Sequence, residues 1–266
     1  MIILGYLASV LMGLVLGMIG GGGSILTVPI LVYLFAIDPT QATAYSLFIV
    51  GLTSLLGGAT YFKRGDIDLK TGIIFAVPSF IGVYLTRAYF VPSLPYSIFE
   101  IGGLEMTKPL LTMLVFALLM VVASVSMIKR KNGMRTIDLS PAARVVLIII
   151  EGVLVGGVTG FVGAGGGFLI VPALVILIGL PMKLAVGTSL FIIAIKSLLG
   201  FMGDLQSGTI IDWNLLAGVS VAGAVGMFIG LALSSKVSDT TLKKGFGFFV
   251  LIMGSVILFD QLRSLV

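Results

Sequence analysis

The sequence predicts an all-α polytopic membrane protein of about eight long spans plus two short or re-entrant helices, arranged as a 5+5 inverted repeat. Three observations predict it. Of 266 residues, 58% are hydrophobic and 10% charged, at a mean hydropathy of +1.22, whereas a soluble domain carries about 25% charged residues. So few charges cannot cover a water-facing surface, and most of the chain must face lipid or other spans. The apolar residues come in long unbroken runs, not in the roughly ten-residue alternations of a membrane β-barrel. Finally, the second half of the chain repeats the first.

Apolar runs occupy 2–19, 41–62, 70–90, 108–128, 141–162, 184–203, 212–234 and 242–260. At about 1.5 Å per residue, each spans or nearly spans a core about 30 Å thick. The first run lacks a positively charged start, and Gly17-Met18-Ile19-Gly20 offers no small-x-small cleavage site, so it reads as a span and not a signal peptide. Two further apolar pieces, 24–36 and 168–179, follow glycine runs and are too short to span comfortably. The loop from Arg87 to Lys108 carries Pro92, Pro95, Glu100 and Glu105 and is expected to be irregular surface structure. A basic stretch from Lys129 to Arg135 joins the halves, which sets the boundaries at 1–128, a linker 129–140 on the cytoplasmic side, and 141–266.

The repeat has an offset of 143 residues. Gly17 to Pro29 lies over Gly160 to Pro172, Ala42 to Ile49 over Ala185 to Ile192, Ser54 to Gly57 over Ser197 to Gly200, and Gly65 over Gly208. From Gly17 to Gly65, 20 of the 49 ungapped pairs are identical. Low complexity alone does not reproduce glycine runs, a proline and Ser-Leu-Phe-Ile at matching positions.

Positive charge decides whether the halves are parallel or inverted. If each glycine-linked pair of segments makes one crossing, the Lys and Arg other than Lys196 divide 9 to 6 between the two sides. If each pair returns to its starting side, one side collects twelve, and the other keeps only Arg87, Lys108 and Arg263. The 12-to-3 split satisfies the positive-inside rule. Each half then has five segments, the halves are inverted, and both termini are extracytoplasmic.

An inverted repeat with interrupted helices is the architecture of a secondary transporter whose substrate sits near the midplane. The interruptions are Gly20, Gly21, Gly22, Gly23 and Ser24 in the first half, and Gly163, Gly165, Gly166 and Gly167 around Ala164 in the second. Helices restarting at about 24 and 168 point their N-termini, each worth about half a positive charge, at the breaks. Pro29 and Pro172 suit an early helical turn. Two such N-termini facing each other make an anion site. Tyr45, Ser46, Thr188 and Ser189 follow at equivalent positions; their hydroxyls serve either an oxyanion or interhelical and i−4 hydrogen bonds.

Lys196 lies inside a span about eight residues from either end, too deep to snorkel with comfort, where a lysine costs about 3 kcal/mol on insertion scales. It reads as an anion ligand or charge partner. Glu151 is the only other clearly intramembrane charge in this reading, as a partner of Lys196 or the carrier of a coupling proton. The chain has no Cys and no His, which argues against thiolate or triad chemistry and an intramembrane zinc site, and hence against an enzyme. The first break lacks the Gly-Lys-Ser/Thr ending of a P-loop, so no ATP-driven step is expected within this chain. No catalytic residue, cofactor or metal is expected.

The paired Gly-rich-to-Val-Pro motifs (Gly20 to Pro29, Gly163 to Pro172), with Ala185 to Phe191 and Gly208 to Trp213, resemble the sulfite exporter TauE/SafE family, also called the toluene-sulfonate uptake permease family. The resemblance covers nearly the whole chain, although the loop at 91–107 is longer than the family needs. It implies a multi-pass carrier in the cell membrane that moves sulfite, sulfonates, sulfoacetate-like or related sulfur-containing anions, usually outward. The partners so implied are a small sulfur-containing anion and the lipid bilayer, with no nucleic acid; a homodimer is allowed. The competing readings are a passive anion channel built from the same helix ends, and a membrane subunit of a larger complex.

Overall fold

The computed structural model describes residues 2–101, 104–129, 141–176, 178–234 and 239–263. The basic linker expected at 129–140 falls outside them from residue 130 onward. Ten helices are described: α1 (Ile2–Ile19), α2 (Gly22–Leu34), α3 (Pro39–Lys63), α4 (Leu69–Ser93), α5 (Lys108–Lys129), α6 (Pro141–Val162), α7 (Gly167–Ile176), α8 (Met182–Gln206), α9 (Trp213–Leu233) and α10 (Asp239–Arg263). Among the described residues seven helices are long and apolar enough to cross a membrane. The eighth expected span is α10, 25 residues long, whose side chains are described only from Gly247 onward. α2 and α7 are the two short pieces.

Local signals place the helix starts. Asp38, followed by Pro39, accepts the Thr40 N–H at 2.8 Å and opens α3. Asp68 accepts from Thr71 at 3.1 Å at the start of α4, and Asp212 from Asn214 and Leu215 at 3.0 and 3.1 Å at the start of α9. Each caps amides that have no intrahelical partner.

The loop before α5 departs from the irregular structure expected of it. Strands β1 (Ser97–Ile101) and β2 (Leu104–Thr107) form an antiparallel hairpin, with Glu100 opposite Glu105 and Ile101 opposite Leu104. The prolines stand before β1, and Gly102-Gly103 between the strands is a two-residue hairpin signal.

The packing follows the repeat. α1 crosses α9, and α4 crosses α6; α3 packs on α8, α5 on α10, and α2 on α7. Relating each helix of the first half to the one five places later exchanges these pairs or maps them onto themselves. Both crossings rest on small residues, which let backbones approach where lipid supplies no hydrophobic drive. A methyl on Gly13 would strike the Gly223 carbonyl, and one on Gly156 would strike that of Ser79. Gly13 and Gly156 are repeat equivalents, so the same contact is built twice.

Helix directions come from the same contacts. Tyr6 of α1 meets Gly218, and Gly17 meets Leu231, so α1 and α9 run parallel. Gly51 of α3 meets Leu198, whereas Gly58 meets Phe191, so the equivalent helices α3 and α8 run antiparallel. Equivalent helices that oppose each other make the repeat inverted. α2 turns back along α1: Gly23 packs on the backbone of Leu16 and Met12, and the Phe35 ring lies edge-on to Tyr6 at 5.3 Å. The pair therefore ends near the side on which it began.

The apolar side chains divide between core and lipid. α3 and α8 are each 72% buried over their spans, against 39–44% for the other five, so these two form the centre. Exposed residues such as Leu7, Leu118, Leu154, Phe228 and Phe259 cover the periphery, as expected of a surface facing hydrocarbon.

Candidate functional site

The two glycine breaks meet between α3 and α8. A Cβ on Gly21 would lie 2.6 Å from the Gly167 Cα, so the backbones are in direct contact. Gly20 and Gly21 have φ of 74° and 150°, and Gly163, Gly165 and Gly166 have 72°, 62° and 72°. L-residues with a Cβ resist these conformations, which is why glycine runs were needed there. α2 and α7 begin at Gly22 and Gly167; the Ser24 N–H turns back to the Gly21 carbonyl and those of Leu169 and Ile170 to the Gly166 carbonyl, which leaves the first two amides of each helix beside the contact without an intrahelical acceptor. Among the described residues, the nearest neighbours of Gly20, Gly21, Gly23, Gly163, Gly165, Gly166 and Gly167 include no acidic side chain.

Lys196 joins this junction from α8. It is fully buried, its Nζ donates to Thr159 Oγ1 at 2.6 Å, and it lies 2.8 Å from where a Cβ on Gly166 would stand. An ammonium carries three donors, and Thr159 takes one. The pairing of Lys196 with Glu151 does not form. Thr159 is eight residues beyond Glu151 on α6, about 12 Å along the axis, and no ion pair joins the two charges among the described residues. Glu151 is half-buried on α6, and its Oε2 is buried without a hydrogen-bond partner.

The remaining site residues divide by what their hydroxyls touch. The Ser24 hydroxyl donates to the Gly21 carbonyl at 2.7 Å, and Ser189 Oγ lies between the carbonyls of Gly20 and Val186, so both brace the first break. Ser46, the repeat equivalent of Ser189, is buried with no partner for its hydroxyl. Gly22 and Gly23 lie in the first turn of α2, with Gly23 against α1.

Tyr45 and Thr188 turn away from the junction. The Asp212 N–H donates to Tyr45 Oη at 2.5 Å, and the Asp68 N–H donates to Thr188 Oγ1 at 2.9 Å. Tyr45 and Thr188 are repeat equivalents, as are the caps Asp68 and Asp212 with a one-residue gap. Each hydroxyl therefore ties the loop before a helix of the other repeat, one at each end of the α3–α8 pair. Gln41 adds a bond to the Ile210 carbonyl at 2.6 Å on the Tyr45 side.

Sequence reasoning missed three residues. Thr159, the partner of Lys196, stands one residue before Gly160 as the only hydroxyl in α6. Arg87 and Asp204 form a buried ion pair, Nη1 to Oδ1 at 3.3 Å, so Glu151 and Lys196 are not the only charges inside the protein. Both fall at the ends of their apolar runs and read there as loop charges. The helices continue to Ser93 and Gln206, which carries the two side chains into the interior.

The model of the sulfite exporter TauE/SafE family matches residues 5–257. A probable membrane transporter protein of Xylella fastidiosa is 28% identical over 264 residues, covering 96% of this chain and 94% of the relative. The probable membrane transporter protein YdhB of Bacillus subtilis is 29% identical over 253 residues, covering 94% and 97%. A probable membrane transporter protein of the archaeon Methanocaldococcus jannaschii is 26% identical over 236 residues, covering 85% and 82%. No solved structure matches the chain significantly.

Proposed function

Because the chain belongs to the sulfite exporter TauE/SafE family and is a multi-pass membrane transporter, we propose that it exports a small sulfur-containing oxyanion across the cell membrane as a secondary carrier. The substrate class is sulfite, a sulfonate or a sulfoacetate-like anion. The observation that carries this reading is the junction of the breaks, where Gly21 touches Gly167 and the Lys196 ammonium stands beside Gly166. Two helix N-termini contribute about half a positive charge each. Thr159 takes one donor of the ammonium; the free amides and the remaining ammonium donors are left for a ligand, and an oxyanion accepts from all of them. The short arms Ser24 and Ser189 hold the first break in shape; Ser46 has a hydroxyl to spare for the anion.

The two repeats, 1–128 and 141–266 with the linker between, interlock helix by helix, so alternating access comes from helices shifting about this junction and not from one repeat swinging as a unit against the other. The Tyr45–Asp212 and Thr188–Asp68 bonds close opposite ends of the α3–α8 pair, and alternate release of one and then the other opens the junction to each side. The termini lie outside, so the basic face is cytoplasmic and gathers anions for export. Glu151 carries the coupling proton: its carboxyl sits half-buried in a span with one oxygen unpartnered, and no cation pairs with it among the described residues.

The test is uptake of radiolabelled sulfite into proteoliposomes holding the purified chain, with sulfonates, sulfate and thiosulfate as competitors. Saturation, counterflow and loss of uptake in Lys196→Ala are expected. Uptake that rises linearly with concentration and shows no counterflow would mean a passive channel. No uptake of any of these anions by folded protein would end the sulfur-anion assignment.

A further inference from the structure

Arg87 is 1% exposed and heads the large side chains that are fully buried in the protein. It stands apart from the junction of the breaks, since its partner Asp204 lies eight residues beyond Lys196 on α8, about 12 Å along the axis. The pairing is incomplete. A guanidinium offers five N–H donors in a planar fork, and a structural Arg–Asp pair uses two short parallel bonds of about 2.7–2.9 Å. Here Nη1 meets Oδ1 once, at 3.3 Å. Arg87 Nε and Nη2 are buried without a hydrogen-bond partner, and so is Asp204 Oδ2. Nε and Nη2 share one edge of the guanidinium, the edge that receives two oxygens of a single oxyanion. Buried donors left unpaired are costly.

Asp204 is also part of the wall of a cavity of about 400 Å³. Lys108, Thr40, Ser207, Thr209 and Gln41 line the same space. Asp38, the other carboxylate of the lining, is engaged in capping α3. One cation, three hydroxyls and an amide thus line a volume large enough for a small anion, together with the Asp38 and Asp204 carboxylates, and Arg87 stands behind Asp204. The repeat equivalents of Arg87 and Asp204 are Leu231 and Tyr61, so this pair is not repeated in the other half.

We infer that Arg87, with Lys108 at the cavity, forms a second binding site for the transported oxyanion on the side where α3 begins, and that the Asp204 carboxylate stands in for the anion when the site is empty. The inference rests on the transport reading and extends it: the anion passes from the junction to the free edge of Arg87, where it competes with a tethered carboxylate and so departs readily. Asp204 is then a resident competitor, and its removal tightens the site.

The test is equilibrium binding of labelled sulfite to the purified full chain in nanodiscs, with labelled phosphate and sulfate in parallel. Wild type is expected to bind two sulfite ions per chain. Arg87→Lys keeps a cation beside Asp204 but loses the fork, and is expected to weaken one of the two by about tenfold. Asp204→Asn, nearly isosteric, is expected to tighten that same site about tenfold, while Lys196→Ala removes the other. Wild-type affinities and stoichiometry in Asp204→Asn, or in folded Arg87→Lys, overturn the inference. If phosphate or sulfate binds in place of sulfite with the same dependence on Arg87 and Asp204, the second site stands and the sulfur assignment fails. Binding of none of the three by folded wild type overturns both.

Discussion

Adding one methyl group at Gly167 separates the contribution of the break contact from that of backbone conformation. Gly167 does not have a left-handed φ, so alanine fits its backbone without that strain. Its Cβ, however, would fall on Gly21, 2.7 Å from the carbonyl carbon and oxygen and closer still to the Cα. Comfortable carbon contacts need about 3.5–4.0 Å, so the two breaks must part by about 1 Å. Overpacking of this kind costs about 1–3 kcal/mol of stability. The functional cost is separate. An anion bridging the two helix ends makes bonds near 2.9 Å, and a further 1 Å takes one set beyond hydrogen-bonding range. Losing a hydrogen bond to a charged group costs about 1.5–3 kcal/mol, which is roughly a ten- to hundredfold loss of affinity. The control is Gly65→Ala, where φ is +72° and nothing lies within 4 Å of the added methyl; it costs about 1–2 kcal/mol of backbone strain and leaves affinity alone. Half-saturation for sulfite uptake, read beside thermal melting, distinguishes the two. Wild-type half-saturation in Gly167→Ala, or an equal loss in Gly65→Ala, would refute the reasoning.

Three further perturbations follow from the geometry. Thr159→Val deletes the hydrogen-bond partner of Lys196 and is expected to reduce sulfite uptake severalfold while Thr159→Ser retains it; initial rates in proteoliposomes decide. Tyr45→Phe and Thr188→Val each leave a helix-capping Asp without an acceptor for its N–H, so each is expected to cost about 1–3 kcal/mol, read as similar falls in melting temperature because the two bonds are repeat equivalents. Glu151→Gln removes the proposed proton carrier; uptake driven by an imposed pH gradient should fall at least tenfold while sulfite counterflow persists, and equal effects on both would remove Glu151 from the coupling.

Much of the scaffold was legible because the membrane restricts the choices. Long apolar runs read as spans, and the 12-to-3 charge split is the expectation from which the sense of each half is read. The antiparallel run of α3 against α8 agrees with that charge count. Lys196 was legible as a buried cation because its helix is too long for the head group to escape. Its partner was not: whether Thr159 or Glu151 faces it depends on the rotation of α6 about its own axis, which periodicity cannot give when α6 is apolar on most sides. Tyr45 and Thr188 stood out as equivalent hydroxyls, but their acceptor role depends on loops about 120 and 167 residues away in sequence. Arg87 and Asp204 escaped notice because hydropathy windows end where charges begin, whereas the helices do not. The hairpin at 97–107 was hidden behind the prolines that precede it.

The most direct measurement is an experimental structure of the full chain with selenite, which has the shape and charge of sulfite and adds an anomalous scatterer. The expected result is an anomalous peak between the two breaks, within hydrogen-bonding reach of the first amides of α7 and the Lys196 ammonium. A peak absent from that junction at selenite concentrations that saturate transport would contradict the assignment of the glycine breaks as the anion site.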